Sequence, residues 1–96
     1  MDSKRKAYRE KREAQIQEWS AKLDGWQARL KKSKAEAKIR YQEELEDLRT
    51  RISAARRRLR SLQDASSGAW EDLKGGVYEA MRDLKRAFER AASKFD

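Results

Sequence analysis

Apolar side chains recur along this chain at helical spacings and in three sets. The first is Ile16, Trp19, Leu23, Trp26 and Leu30, and the second is Tyr41, Leu45, Leu48, Ile52, Ala55, Leu59 and Leu62. Within each set the spacing alternates three and four, the a/d pattern of a heptad seam. The third set follows an eleven-residue unit, AWEDLKGGVYE, AMRDLKRAFER and AASKF, which places Trp70, Leu73, Val77, Met81, Leu84, Phe88 and Phe95 in line. Eleven residues in three turns keep such side chains in one stripe, so this pattern predicts a strongly amphipathic helix.

From Lys4 to Gln63 there is no proline and one glycine, Gly25, among many good helix formers. This predicts a long coiled-coil helix over 1–63, a rod of roughly 90 Å at 1.5 Å per residue. The first two sets differ in phase, because sevens counted from Ile16 and Leu23 land on Glu44 and not on Leu45. One residue is therefore inserted within 31–38, and the chain either continues as an imperfect helix or turns back as a hairpin. The segment KKSKAEAK contains no Gly or Pro stop signal, which favours the continuous helix.

Asp64-Ala65-Ser66-Ser67-Gly68 breaks the pattern, and 69–96 forms the amphipathic helix. Ser66 or Ser67 supplies an N-cap, and Glu71 and Asp72 complement the positive end of the helix dipole. Gly75-Gly76 interrupts the helix with two weak formers, which suits flexibility or the close approach of another helix. A further run, Ala7, Ala14, Ala21, Ala28 and Ala35, lies opposite the Trp19/Trp26 seam and is expected as an exposed face filled by propensity.

Composition supports an all-α fold and restricts the chemistry. Of the 96 residues, 44% are charged and 38% apolar, and there is no Cys, His or Pro. Thiol and imidazole nucleophiles and the commonest zinc ligands are thus missing. The acidic run Glu43, Glu44, Glu46 and Asp47 carries no calcium or magnesium motif, and adjacent helical residues point in different directions. Neither a metal, a cofactor, a small-molecule substrate nor catalysis is expected. Met1 to Arg12 leads into no apolar run and no window approaches a membrane span, so the expected location is cytoplasmic or peripheral to a membrane.

The net charge of +8 concentrates in the middle of the chain. Residues 21–63 carry 13 Lys/Arg against 6 Asp/Glu, whereas 64–96 carry 6 against 7. Arg49, Arg51, Arg56, Arg57, Arg58 and Arg60 form one basic cluster, and Arg29, Lys31, Lys32, Lys34, Lys38 and Arg40 another. Clustered arginine suits polyanion contacts, but no aromatic residue interleaves it to stack on bases, which favours charge-matched helix pairing over nucleic acid. Flanking arginines also disfavour a parallel in-register pair and point to antiparallel packing.

The segment SSGAWEDLKGGVYEAMRDLKRAFERAASKF, following KAYREKREAQIQEWSAKLDGW, resembles a family of small bacterial stress-induced coiled-coil proteins. That resemblance implies a bacterial origin and a stress setting, and it carries no biochemistry with it. The eleven-residue unit is similar in period to apolipoprotein-type lipid-binding repeats. The leading expectation is a non-enzymatic interaction or assembly protein, a homo-oligomer of two or more chains joined through its apolar stripes or holding another protein. Lipid binding by Trp70 to Phe95 on a membrane surface stands as the alternative, and weak polyanion binding as the second.

Overall fold

A computed structural model of the protein describes residues 2–96 and contains three helices, α1 (Asp2–Lys31), α2 (Ala35–Ser61) and α3 (Ser67–Phe95). The expected all-α class is observed. The expected single helix over 1–63 is not, because the chain leaves the helix at Lys32 and re-enters it at Ala35. The hairpin is made without Gly or Pro. α1 tightens at its end, with Lys32 and Ser33 amides donating to Arg29 and Leu30 carbonyls at 3.1 and 3.0 Å. Ser33 Oγ donates to the Arg29 carbonyl as well, at 3.1 Å. Lys34 then takes an extended conformation (φ −65°, ψ 153°) as N-cap of α2. The one-residue phase slip is the trace of this turn in the sequence. The molecule is consequently 52 Å long and about 19 Å across, well short of a 90 Å rod.

α2 runs antiparallel to α1, with Arg49 reaching Asp24 and Arg56 reaching Glu13. α3 turns back again, antiparallel to α2 through Arg51–Asp83 and Lys94–Glu44, and thus parallel to α1. The antiparallel charge matching expected between chains is met between segments of one chain. Exposed pairs of this kind are worth about 0–1 kcal/mol each, so they set direction more than stability.

Stability comes from the three apolar sets, which close on one another. Ile16, Leu23 and Trp26 of α1, Leu45, Leu48, Ile52, Ala55 and Leu59 of α2, Leu62, and Trp70, Val77, Met81, Leu84 and Phe88 of α3 are all buried. Trp19, Leu30, Leu73 and Phe95 are half-buried against them. The stripes expected to join separate chains thus cover one another within a single chain. The run Ala7, Ala14, Ala21, Ala28 and Ala35 is exposed.

The seams differ in width. On α3 the small residues Gly76 and Ala80 lie on the side facing α2, where they line a cleft with Ala54. On the other side α3 meets α1 through rings. Phe88 stacks on Trp19 and Trp26 at 5.8 and 5.5 Å between centroids, Phe95 stacks on Trp26 at 5.4 Å, and Tyr8 meets Trp70 edge-on at 5.9 Å. Rings held between two helices keep the backbones apart, and few Cα atoms of α1 and α3 approach within 8 Å.

The loop 62–66 is capped on its far side by Ser66, whose Oγ accepts from the Ala69 amide at 3.2 Å. α3 begins at Ser67, earlier than the pattern predicted. Glu71 and Asp72 therefore fall beyond its first turn. At the other end α1 clamps α3 three times: Trp26 and Lys22 hold Asp96, and Arg29 Nη1 donates to the Phe95 carbonyl at 2.6 Å. Cations and an N–H there complement the negative end of the helix dipole.

Candidate functional site

The wide seam leaves an open groove of about 630 Å³ along α1 and α3. Its floor is Trp19, Met81, Phe88 and Ala92, and its rim carries Lys11, Arg12, Gln15 and Lys22 from α1 and Tyr78, Arg82, Lys85 and Glu89 from α3. Five cations thus face one carboxylate. Three other clefts, each of about 270–310 Å³, are close to charge balance. The cleft along α2 and α3, for instance, holds Arg51 and Arg58 against Glu79 and Asp83.

Local sequence explains the concentration. On α3, Tyr78, Arg82 and Lys85 follow one another at i, i+4 and i+7, beside the buried line Val77, Met81, Leu84 and Phe88. On α1, Lys11, Gln15 and Lys22 lie at i, i+4 and i+11, again along one side, beside Trp19. The other two seams carry interhelical ion pairs along their length. In this one Lys22 pairs with Asp96 at 2.9 Å at the far end. Among the described residues Lys11, Arg12, Arg82 and Lys85 have no carboxylate within ion-pairing distance.

Aromatic faces supply part of what carboxylates do elsewhere. The Arg12 guanidinium lies 4.4 Å and the Lys74 ammonium 5.0 Å from the centre of the Tyr8 ring. Lys22 lies 5.7 Å over Trp26, and Arg82 5.9 Å from Tyr78. At exposed sites such contacts contribute about 0.5–1 kcal/mol and leave the cation's charge unneutralised. The groove is therefore positively charged, partly apolar and open to solvent.

The residues singled out in the sequence are distributed differently from the expectation. Trp70, Val77, Met81, Leu84 and Phe88 are core, so the tail stripe is turned inward and reaches the surface only where Met81 and Phe88 line the groove floor. Half of the arginine cluster is engaged within the chain. Arg49 pairs with Asp24, Arg56 with Glu13, and Arg51 with Asp47 and Asp83. The Asp47 hydrogen bond, above all, raises the Arg51 pKa further above its already high ordinary value. Arg57, Arg58 and Arg60 remain exposed.

What the pattern did not reveal is Lys11, Arg12, Lys22, Arg82 and Lys85, which come from helices far apart in sequence. The two large apolar residues left exposed among those described, Ile39 (78%) and Tyr78 (61%), were also missed. Tyr78 stood in the repeat unit beside Val77, where its exposure could have been read from the helical phase. Among the described residues no three His, Cys, Asp or Glu side chains gather as a metal site. No described helix is long and apolar enough to cross a membrane.

The fold and groove define a three-helix bundle with a basic, aromatic-floored seam. No family model matches the chain, and neither the curated proteins nor the solved structures give a significant match.

Proposed function

We propose that this chain is a non-enzymatic interaction protein that receives an acidic amphipathic helix in the groove between α1 and α3. One observation carries the reading: this seam, unlike the three clefts compared with it, sets five cations, only Lys22 of them ion-paired among the described residues, against one lining acid over an aromatic floor. An amphipathic helix lays its apolar line into a groove of this shape while its flanking carboxylates meet the rims. Electrostatic matching of this kind steers encounter and fixes register. The adhesive surface is thus the groove, with Met81 and Phe88 of the tail stripe in its floor, and the rest of the stripe serves as internal packing.

The lipid-binding alternative asks more of the molecule, since α3 must leave the bundle before Trp70 to Phe95 can lie on a bilayer. That would break the Phe88 stacks on Trp19 and Trp26 and expose Val77 and Leu84. The test is a titration, in about 0.1 M salt, with a synthetic helical peptide carrying Glu on both sides of an Ile line. It is followed by the three indole N–H resonances. Trp19 on the groove floor should shift, and Trp26 and Trp70 in the core should not. Lys11→Glu/Lys85→Glu should weaken binding at least tenfold, about 1.4 kcal/mol. Shifts at all three indoles with anionic vesicles, and none with peptide, would favour the lipid reading.

A further inference from the structure

Among the described residues the bundle leaves Ile39 and Tyr78 as its exposed large apolar side chains. Tyr78 sits on the rim of the basic groove. Ile39 sits on the outer face of α2, opposite the line Leu45, Leu48, Ile52 and Ala55 that enters the core. Exposed around it on that face are Glu36, Glu43 and Glu46, at i−3, i+4 and i+7. Among the described residues these three carboxylates make no ion pair, whereas Asp47, at the edge of the face, and Glu44, turned toward α3, are taken by Arg51 and Lys94. Lys38 and Arg40 lie to the sides, about 100° from Ile39.

This face has the composition the groove calls for, and it has the length. Glu36 to Glu46 spans roughly 15 Å of helix, and Lys11 to Lys22 roughly 16 Å. We infer that the groove is occupied by the Ile39 face of a second copy of this chain. The inference rests on the reading of the groove as a seat for acidic helices, and it names the helix. Ile39 then packs beside Tyr78 over the aromatic floor, and Glu36, Glu43 and Glu46 lie among Lys11, Arg82 and Lys85.

The bundle's geometry decides what such a contact builds. α2 packs against both α1 and α3, so its outer face and the groove between those two point in opposite directions. A contact joining two different faces on opposite sides is heterologous and leaves the joined pair with one free face of each kind. The product is an open chain of copies. Arg49–Asp24 and Arg56–Glu13 set the helix register and place Ile39 level with the turn at 32–34. The groove centres near Gln15 to Trp19, so successive copies are staggered by about 24 Å.

Two double variants test this, and both alter exposed residues on an intact core. Ile39→Ser/Glu43→Gln destroys the donor face without giving it a positive charge, and Lys11→Glu/Lys85→Glu destroys the groove. In sedimentation equilibrium the wild type should grow in mass with concentration, and each variant alone should remain at 11.3 kDa. Their equimolar mixture should form dimers and stop there, because one copy contributes the only sound groove and the other the only sound donor face. The chain has no cysteine, so Ile39→Cys chains mixed with Tyr78→Cys chains should give mixed disulfides well above the statistical half. A wild type that stays monomeric at hundreds of micromolar, while the acidic peptide still shifts Trp19, overturns this inference and leaves the groove reading intact. Failure of both peptide binding and self-association overturns the two together. Variants that still self-associate alone, or a mixture that grows past the dimer, also refute the heterologous contact.

Discussion

The indole Nε1–H of Trp26 donates to Asp96 Oδ1 at 2.8 Å, joining the C-terminal part of α1 to the residue that follows α3. The bond, followed by the Lys22 ammonium, holds the Asp96 carboxyl below the usual aspartate range. A carboxylate with a depressed pKa stabilises the fold fully above its unfolded pKa of about 4, and this contribution is lost as pH falls through the folded value. Asp96→Asn keeps an acceptor for the indole but removes the charge. Its melting temperature should lie below wild type at neutral pH and converge with it in strong acid, as thermal scans across that range would show. A constant gap at every pH would contradict the assignment.

Phe88 is 3% exposed and stacks on two tryptophans, so Phe88→Ala removes a central ring from a closed core. The expected loss is about 3–5 kcal/mol in urea denaturation. Tyr78→Ala, one helix face away and exposed, should cost within about 0.5 kcal/mol while weakening groove binding. A large stability loss at Tyr78 would mean that it is packing and not rim.

The N-cap of α2 is Lys34, which makes no side-chain capping bond and sets a cation at the positive end of a helix dipole. Lys34→Asp supplies both the acceptor and the right sign. We expect stabilisation of about 1 kcal/mol, read as a raised denaturation midpoint at unchanged slope.

Gly75 lies in the interior of α3, is exposed, and has nothing within 4 Å of the place a Cβ would occupy. Gly75→Ala should therefore stabilise by about 0.5–1 kcal/mol through backbone entropy. At Gly76 the added carbon would meet Arg58 Nη1 at 3.0 Å, the end of a flexible exposed side chain. Gly76→Ala should gain less, because Arg58 has to move aside. Denaturation of the two single variants separates these cases.

The same residues show which parts of the fold a sequence exposes and which it conceals. Ile16, Leu23, Leu48, Ile52, Val77 and Leu84 were legible as core because a helical period records which side is buried. It does not record against what, so segments of one chain and separate chains give the same stripe. The turn at 32–34 was concealed because its cap is a lysine and its bend uses no Gly or Pro, leaving a one-residue phase slip as the trace. The groove was illegible for a different reason. Lys11 and Lys85 are 74 positions apart, and each on its own reads as an ordinary solvated lysine until parallel packing of α1 on α3 sets them on facing rims. Arg49, Arg51 and Arg56 misled in the opposite way, since a cluster in sequence was dispersed onto two seams.

The rings between α1 and α3 act as a spacer as well as a core. Trp19 and Phe88 lie on the groove floor and also set how far apart its walls stand, so the same contacts hold the bundle closed and fix the aperture of the binding surface. A smaller ring at 88 would draw Lys11 and Lys85 toward each other, narrowing the slot while bringing like charges closer. Tightness of packing and selectivity for a guest are therefore one adjustable quantity in this molecule. A variant library sorted for thermal endurance alone would also shift the calibre of helix that it admits.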